Sequence, residues 1–227
     1  NFRLIPYFPP FFPLVLSVFS FLNFDLEIAA RFLNLFLFAA TILVVLQTSD
    51  HYFEDRRFVI GLGLLFAVSP VLNPAFSWAM SEPLSIFLGT AAIVFALKFF
   101  QSTDKKWLLY LSAILAGFST ITRYGAIVYA AVVVLMIIFV LREPFVKRIL
   151  QALYYGVISM IPVGIWVMID VLHTDTVSSR RLNALQGLHT RIGIYFSNLK
   201  SVFLFWVIPD SWIQAPFYPQ ALNTVIV

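Results

Sequence analysis

The sequence predicts an all-α protein, a polytopic transmembrane helical bundle of about six spanning helices with further helices at the interface. Three observations predict it. Of 227 residues, 61% are hydrophobic and only 11% charged, against about 25% charged in a typical soluble domain. The apolar residues lie in long blocks instead of alternating with polar ones, which reads as helix. The basic residues gather in alternate connections between those blocks, the pattern that orients a chain in a bilayer. This balance speaks against a soluble enzyme, a disordered chain and a nucleic-acid-binding domain. The formal net charge of +4 is therefore a topology signal, with no nucleic acid among the expected partners. Cysteine is absent, which excludes disulfides and thiolate metal sites.

A spanning helix needs about 20 mainly apolar residues. The first run that qualifies is 28–46, interrupted near its start by Arg31. The second is 58–80, with Pro70 and Pro74 in its last third. Runs at 83–100, 107–122, 126–141 and 149–169 follow. As one helix, 107–141 would be about 52 Å long, too long for a single crossing. It reads instead as a helical hairpin turning at Arg123-Tyr124-Gly125. Residues 11–22 follow Pro9-Pro10, contain Pro13, and are too few to span; they read as an interfacial helix. Residues 192–208 carry Asn198, Lys200 and several aromatics, and also suit the interface. The expectation is one membrane domain over 1–227. Starting with Asn and ending in an apolar run, it reads as a piece of a longer protein.

The turns 47–57, 98–106 and 142–148 hold Arg56, Arg57, Lys98, Lys105, Lys106, Arg142, Lys147 and Arg148, eight of the 15 basic residues. The opposite turns, 73–82 and 123–125, hold only Arg123. The positive-inside rule makes the eight-charge side cytoplasmic. The expected location is the cell (inner) membrane, multi-pass, with the other face towards the exterior or periplasm.

Charged groups at membrane depth are costly and usually face a cavity or a partner. Glu82, in Ser81-Glu82-Pro83, reads in two ways. It is a helix-start carboxylate favoured by the dipole, or a ligand- or metal-binding group at the rim of an outward pocket. Arg123 with Tyr124 reads as an interfacial anchor, or as a guanidinium set at headgroup depth to grip a lipid-linked phosphate. Arg180-Arg181 is a phosphate clamp or a solvated basic loop. His173 and Asp175, two apart with no further ligand nearby, read as solvated loop and not as a metal site. Glu27 and Arg31 are spaced for an i, i+4 pair. No Walker, GxGxxG, HExxH or GxSxG pattern occurs, so ATP-driven pumping and the common hydrolase chemistries have no support.

Several segments together resemble a known family. Tyr7-Phe8-Pro9-Pro10-Phe11-Phe12-Pro13-Leu14 precedes a short helix, and Ala29-Ala30-Arg31-Phe32-Leu33-Asn34 opens a span. Ser81-Glu82-Pro83-Leu84, the stretch 115–125 ending in Thr122-Arg123-Tyr124-Gly125, and Ser179-Arg180 follow in order. This series resembles the C-type (GT-C) superfamily of polytopic membrane glycosyltransferases, which includes the protein mannosyltransferase and aminoarabinose transferase relatives. The resemblance implies an enzyme that moves a sugar from a polyprenyl-phosphate donor to a protein, lipid or glycan acceptor on the outer face. It implies a carboxylate that takes the acceptor proton, and basic groups or a divalent metal ion that stabilise the leaving phosphate. Glu82 would match the acceptor- or metal-side carboxylate. Arg123 and Tyr124, with Arg180 and Arg181, would match the phosphate side. Membrane lipids and the lipid-linked donor are the implied partners.

The family's principal catalytic aspartate lies in the first outer loop, upstream of the Pro-Pro element. Here only residues 1–9 precede Pro10, and none is acidic. The expectation is therefore a fragment lacking the first span and most of that loop, inactive alone. Two other classes compete with this reading. A transporter or lipid-handling protein predicts polar groups at mid-depth and paired broken helices. A non-catalytic membrane subunit or scaffold is the third class, kept open by the missing upstream loop.

Overall fold

The structure is a computed structural model that describes residues 9–70 and 72–173. Arg180, Arg181, Asp175 and the expected interfacial stretch 192–208 lie outside the described residues. Helices α1 (Phe11–Phe21), α2 (Leu26–Tyr52), α3 (Arg56–Ala67), α4 (Leu72–Ser77), α5 (Glu82–Gln101), α6 (Lys106–Thr122), α7 (Ile127–Val140) and α8 (Phe145–His173) follow one another. A single 3₁₀ turn at Tyr124–Ala126 joins α6 to α7. The described residues contain no strand.

Local chemistry sets the helix starts. Asn23 takes a left-handed φ of 56° in the turn after α1, a conformation that Asn tolerates better than most residues. The Asp25 carboxylate then accepts from the Glu27 and Ile28 amides at 2.9 and 3.0 Å, capping α2. The expected Arg31–Glu27 pair forms at 2.6 Å on the exposed face. Asp55 caps α3 in the same way, accepting from the Arg57 amide at 2.9 Å.

The run 58–80 is not one span, and this corrects the expectation. α3 ends at Ala67, and the chain restarts as the six-residue α4. Pro70 lacks an amide hydrogen and pushes Ser69 out of helical geometry, so the helix stops before it. The Ser69 hydroxyl accepts from the Leu72 amide at 3.3 Å, starting α4. Twelve residues of α3 rise about 18 Å, short of the roughly 30 Å hydrocarbon core.

Three of the described helices are long and apolar enough to cross a membrane: α2, α5 and α8. α1, α6 and the stretch Tyr124–Val140 are apolar but shorter. α6 and α7 turn back on each other at residues 123–126, where the sequence places a hairpin. Arg123 adopts an extended conformation (φ −154°, ψ 121°) that ends α6.

The core sits where α5, α6, α7 and α8 meet. Ala92, Ala96, Ala113 and Ala116 are fully buried there, with Val133, Ile137, Phe99 and Tyr155 around them. Small side chains let helix backbones approach closely. Gly89 lies against the Tyr129 ring, and Gly117 lies against the Ser159 carbonyl and the Pro162 ring of α8. Polar ties stitch the same layer: the Ser112 hydroxyl of α6 donates to the Ala92 carbonyl of α5 at 2.6 Å and lies 3.0 Å from the Tyr155 hydroxyl of α8. A second cluster packs Phe12, Ala30, Leu37, Phe76 and Leu84 from α1, α2, α4 and α5. Large apolar side chains such as Phe32, Phe36, Leu43, Phe139, Leu153 and Met168 remain exposed. Helices with every backbone bond internal and apolar outer faces are what hydrocarbon requires.

The bundle sorts its connections into two ends. At one end, Gln101 donates to the Tyr52 hydroxyl at 2.8 Å, joining the turns after α2 and α5. Lys106 and Gln151 line one cavity there, which brings in the start of α8. The opposite end holds the 78–82 turn, Arg123 and Tyr124.

Candidate functional site

Glu82 is the first residue of α5, followed by Pro83, a residue pre-shaped for a first turn. Arg123 is the residue at which α6 ends. Although 41 positions apart, they meet: an Arg123 guanidinium N–H donates to a Glu82 carboxylate oxygen. Glu82 remains 27% and Arg123 53% exposed, so a ligand can reach both. An ion pair this open contributes about 0–1 kcal/mol of stability, so stability alone gives little reason for it. Among the described residues the Arg123 side chain makes no other hydrogen bond. Its remaining donors stay available to an anion.

The two helix ends are locked one turn below the pair. The Ser119 hydroxyl of α6 donates to the Ser85 carbonyl of α5 at 2.8 Å, and both serines are buried. Thr120 and Thr122 donate back to the Ala116 and Phe118 carbonyls of their own helix. Phe118 also stacks against Phe11 of α1, with centroids 4.7 Å apart.

Asn34 of α2 secures the turn that leads into Glu82. It is fully buried and donates from Nδ2 to the Trp78 carbonyl at 2.7 Å and the Met80 carbonyl at 3.1 Å. Its Oδ1 is buried without a partner. Tyr124 stands beside Arg123, and its hydroxyl accepts from the Trp166 indole N–H at 3.2 Å. Sequence reasoning missed both Asn34 and Trp166 as parts of this site. Asn34 did carry a signal, since it is an amide inside an apolar block. Trp166 carried none beyond being an aromatic near the end of a span.

Of the predicted site residues, the structure thus brings Glu82, Arg123 and Tyr124 together at one end of the bundle. The arrangement presents a guanidinium with free donors, a carboxylate able to exchange that partner for a proton, and a flanking aromatic pair. A divalent cation takes about six oxygen ligands. Glu82 brings a single carboxylate that is already paired, and no three His, Asp or Glu come together among the described residues. A cavity of about 720 Å³ lies elsewhere: it opens between α7 and α8 and is lined by Val134, Ile138, Leu153, Val157 and similar residues. Its apolar walls offer no chemistry, so the ion pair marks the better site.

No protein-family model, curated protein or solved structure matches the chain. The class is therefore the one that fold and site define. Over the described residues this is an all-helical membrane protein, with three apolar helices long enough to span and an accessible carboxylate–guanidinium pair at one end.

Proposed function

We propose that the chain belongs to a membrane glycosyltransferase of C-type fold that transfers a sugar from a polyprenyl-phosphate donor to an acceptor at the outer face of the cell membrane. In this reading the α6–α7 hairpin also lies in the bilayer. The basic turns face the cytoplasm, and the Glu82–Arg123 pair faces outward. The observation that carries the reading is that pair: the motif residues Ser81-Glu82-Pro83 and Thr122-Arg123-Tyr124-Gly125 meet at the end of the bundle opposite the basic turns.

The chemistry follows from what the pair can do. A donor phosphate competes with Glu82 for Arg123, because a phosphate offers the guanidinium a bidentate partner. The guanidinium then stabilises the phosphate as the bond between the anomeric carbon and its phosphate oxygen breaks. The electron pair of that bond stays on the leaving polyprenyl phosphate. The acceptor oxygen forms the new bond to the anomeric carbon and gives up its proton to a carboxylate. Glu82, released from Arg123, serves on the acceptor side. Arg180 and Arg181 are assigned to the phosphate side by resemblance.

The test is sugar transfer from a polyprenyl-phosphate sugar by the protein in its complete reading frame. Arg123→Ala should lower the rate about 10²–10³-fold, as loss of a donor to developing charge does. Undiminished transfer by the Glu82→Ala, Arg123→Ala double variant would sink the site assignment. Uptake of a labelled solute by reconstituted protein, without sugar transfer, would replace the reading with a transporter.

A further inference from the structure

The basic end of the bundle also holds a cleft of about 280 Å³ between the closing turns of α2 and α5. α2 contributes Gln47, His51 and Tyr52 to its walls, and α5 contributes Lys98 and Gln101. These side chains still have hydrogen bonds to give. The Gln101 amide donates to the Tyr52 hydroxyl at 2.8 Å, which braces the two helices and leaves the hydroxyl hydrogen free. His51 and Lys98 are exposed. Among the described residues Lys98 forms no ion pair; its Nζ rests 5.7 Å from the Phe95 ring centroid, a weak hold at an exposed site. The His51 ring meets the Tyr52 ring edge-on, with centroids 5.5 Å apart. No Asp or Glu lines the cleft. Cations in a last helical turn offset the helix dipole, but that role needs neither a cleft nor donors converging from two helices.

The cleft lies where α2 closes at Tyr52 and α5 closes at Gln101. Both helices are candidate spans, so their ends reach headgroup depth. Donors and positive charge without a carboxylate ask for an anion, and at that depth the abundant anion is a lipid phosphate. We propose that the cleft binds the phosphate of an anionic phospholipid, as basic pockets between spanning helices do. The phosphate accepts from Lys98, His51 and the Tyr52 hydroxyl. Gln47, which makes no side-chain hydrogen bond among the described residues, meets the hydroxyls of a glycerol headgroup. Val94 and Leu97, the apolar part of the lining, lead from the cleft towards the hydrocarbon. A zwitterionic headgroup would set its ammonium against Lys98 with no carboxylate to receive it. The site is independent of the Glu82–Arg123 pair at the other end.

The test is lipid binding to the purified chain, followed by native mass spectrometry, using phosphatidylglycerol, phosphatidylcholine and phosphatidylethanolamine with identical acyl chains. Phosphatidylglycerol should bind about tenfold more tightly than either zwitterionic lipid, the value of one hydrogen bond from a charged donor. Lys98→Gln should remove most of that preference, and Tyr52→Phe, which deletes only a hydroxyl, should lower phosphatidylglycerol binding about threefold. Lys105→Gln removes the same charge from the neighbouring turn, outside the cleft, and should leave the preference in place. All three positions are exposed, so the variants should fold. Equal binding of the three lipids by the unaltered protein would overturn the proposal. So would equal losses in the Lys98 and Lys105 variants, which would mean diffuse attraction to a basic surface. Competition by soluble glycerol phosphate at the same concentration as the lipid would overturn the assignment to a lipid.

Discussion

Replacing Asn34 tests the physical logic of the end that carries Glu82. Its Nδ2 holds the Trp78 and Met80 carbonyls, while its own Oδ1 is buried and unpaired. Asn34→Leu removes both hydrogen bonds, at about 1 kcal/mol each because the turn is partly open, but also deletes the orphan acceptor, returning about 1 kcal/mol. The net loss should be about 1 kcal/mol. Asn34→Asp loses the same bonds, keeps an acceptor and adds a carboxyl facing two carbonyls. At full burial that carboxyl must carry a proton, and for a group that ordinarily titrates near 3.9 this costs about 4 kcal/mol at pH 7. The aspartate variant should therefore be the less stable of the two by about 3 kcal/mol or more. The folded variant holds a proton that the unfolded chain sheds above about pH 4, so stability is lost as pH rises beyond that point and is recovered on acidification. Between pH 7 and 5 it should regain about 1.4 kcal/mol per pH unit relative to the leucine variant. Unfolding of the purified chain by detergent titration at both pH values measures this. Equal stability of the two variants at pH 7, or no recovery at pH 5, would refute the account.

Other outcomes are equally specific. Gly117→Ala places a Cβ 2.6 Å from the Ser159 carbonyl oxygen; overpacking of about 1–3 kcal/mol outweighs or cancels a helix-propensity gain of about 1 kcal/mol. Gly156→Ala meets nothing within 4 Å and should be neutral or slightly stabilising in the same titration. The exchange Glu82→Arg with Arg123→Glu should leave stability within about 1 kcal/mol; under the proposed function it should abolish sugar transfer, because the charge assigned to the phosphate moves to the other helix end, and retained transfer would count against the proposed roles. The chain has no cysteine, so Ala79→Cys and Thr103→Cys can be labelled singly; an impermeant maleimide should reach the first from outside the cell and the second only after permeabilisation.

Much of the helix layout was legible in the residues alone. The runs 83–100, 107–122 and 126–141 became α5, α6 and α7 with no boundary shifted by more than one residue, because each is an apolar block bounded by Pro, charge or a tight turn. The hairpin at 123–125 followed from length alone, since one helix could not fit a bilayer. The run 58–80 misled because hydropathy weighs side chains, whereas Pro70 acts on the backbone. The site was half legible. Glu82, Arg123 and Tyr124 stood out as polar groups on a side poor in charge, but the partnership of Glu82 with Arg123 and of Tyr124 with Trp166 spans about 40 positions of chain, and no local pattern encodes it.

What the sequence determined by itself was the class of structure: apolar blocks too long and too uncharged for water had to become helices, and the placement of Lys and Arg sorted their ends. What only the tertiary structure decided was which polar groups meet. Packing through Ala92, Ala96, Ala113 and Ala116 brings α5 and α6 close, and the Ser119–Ser85 bond fixes how their ends align. That alignment sets Glu82 against Arg123, just as the fold of α2 onto the 78–80 turn gives Asn34 its two carbonyls. Charge and hydropathy are properties of single residues and short windows. Register between distant helices is set by the fit of small side chains, and it exists only once the helices are packed.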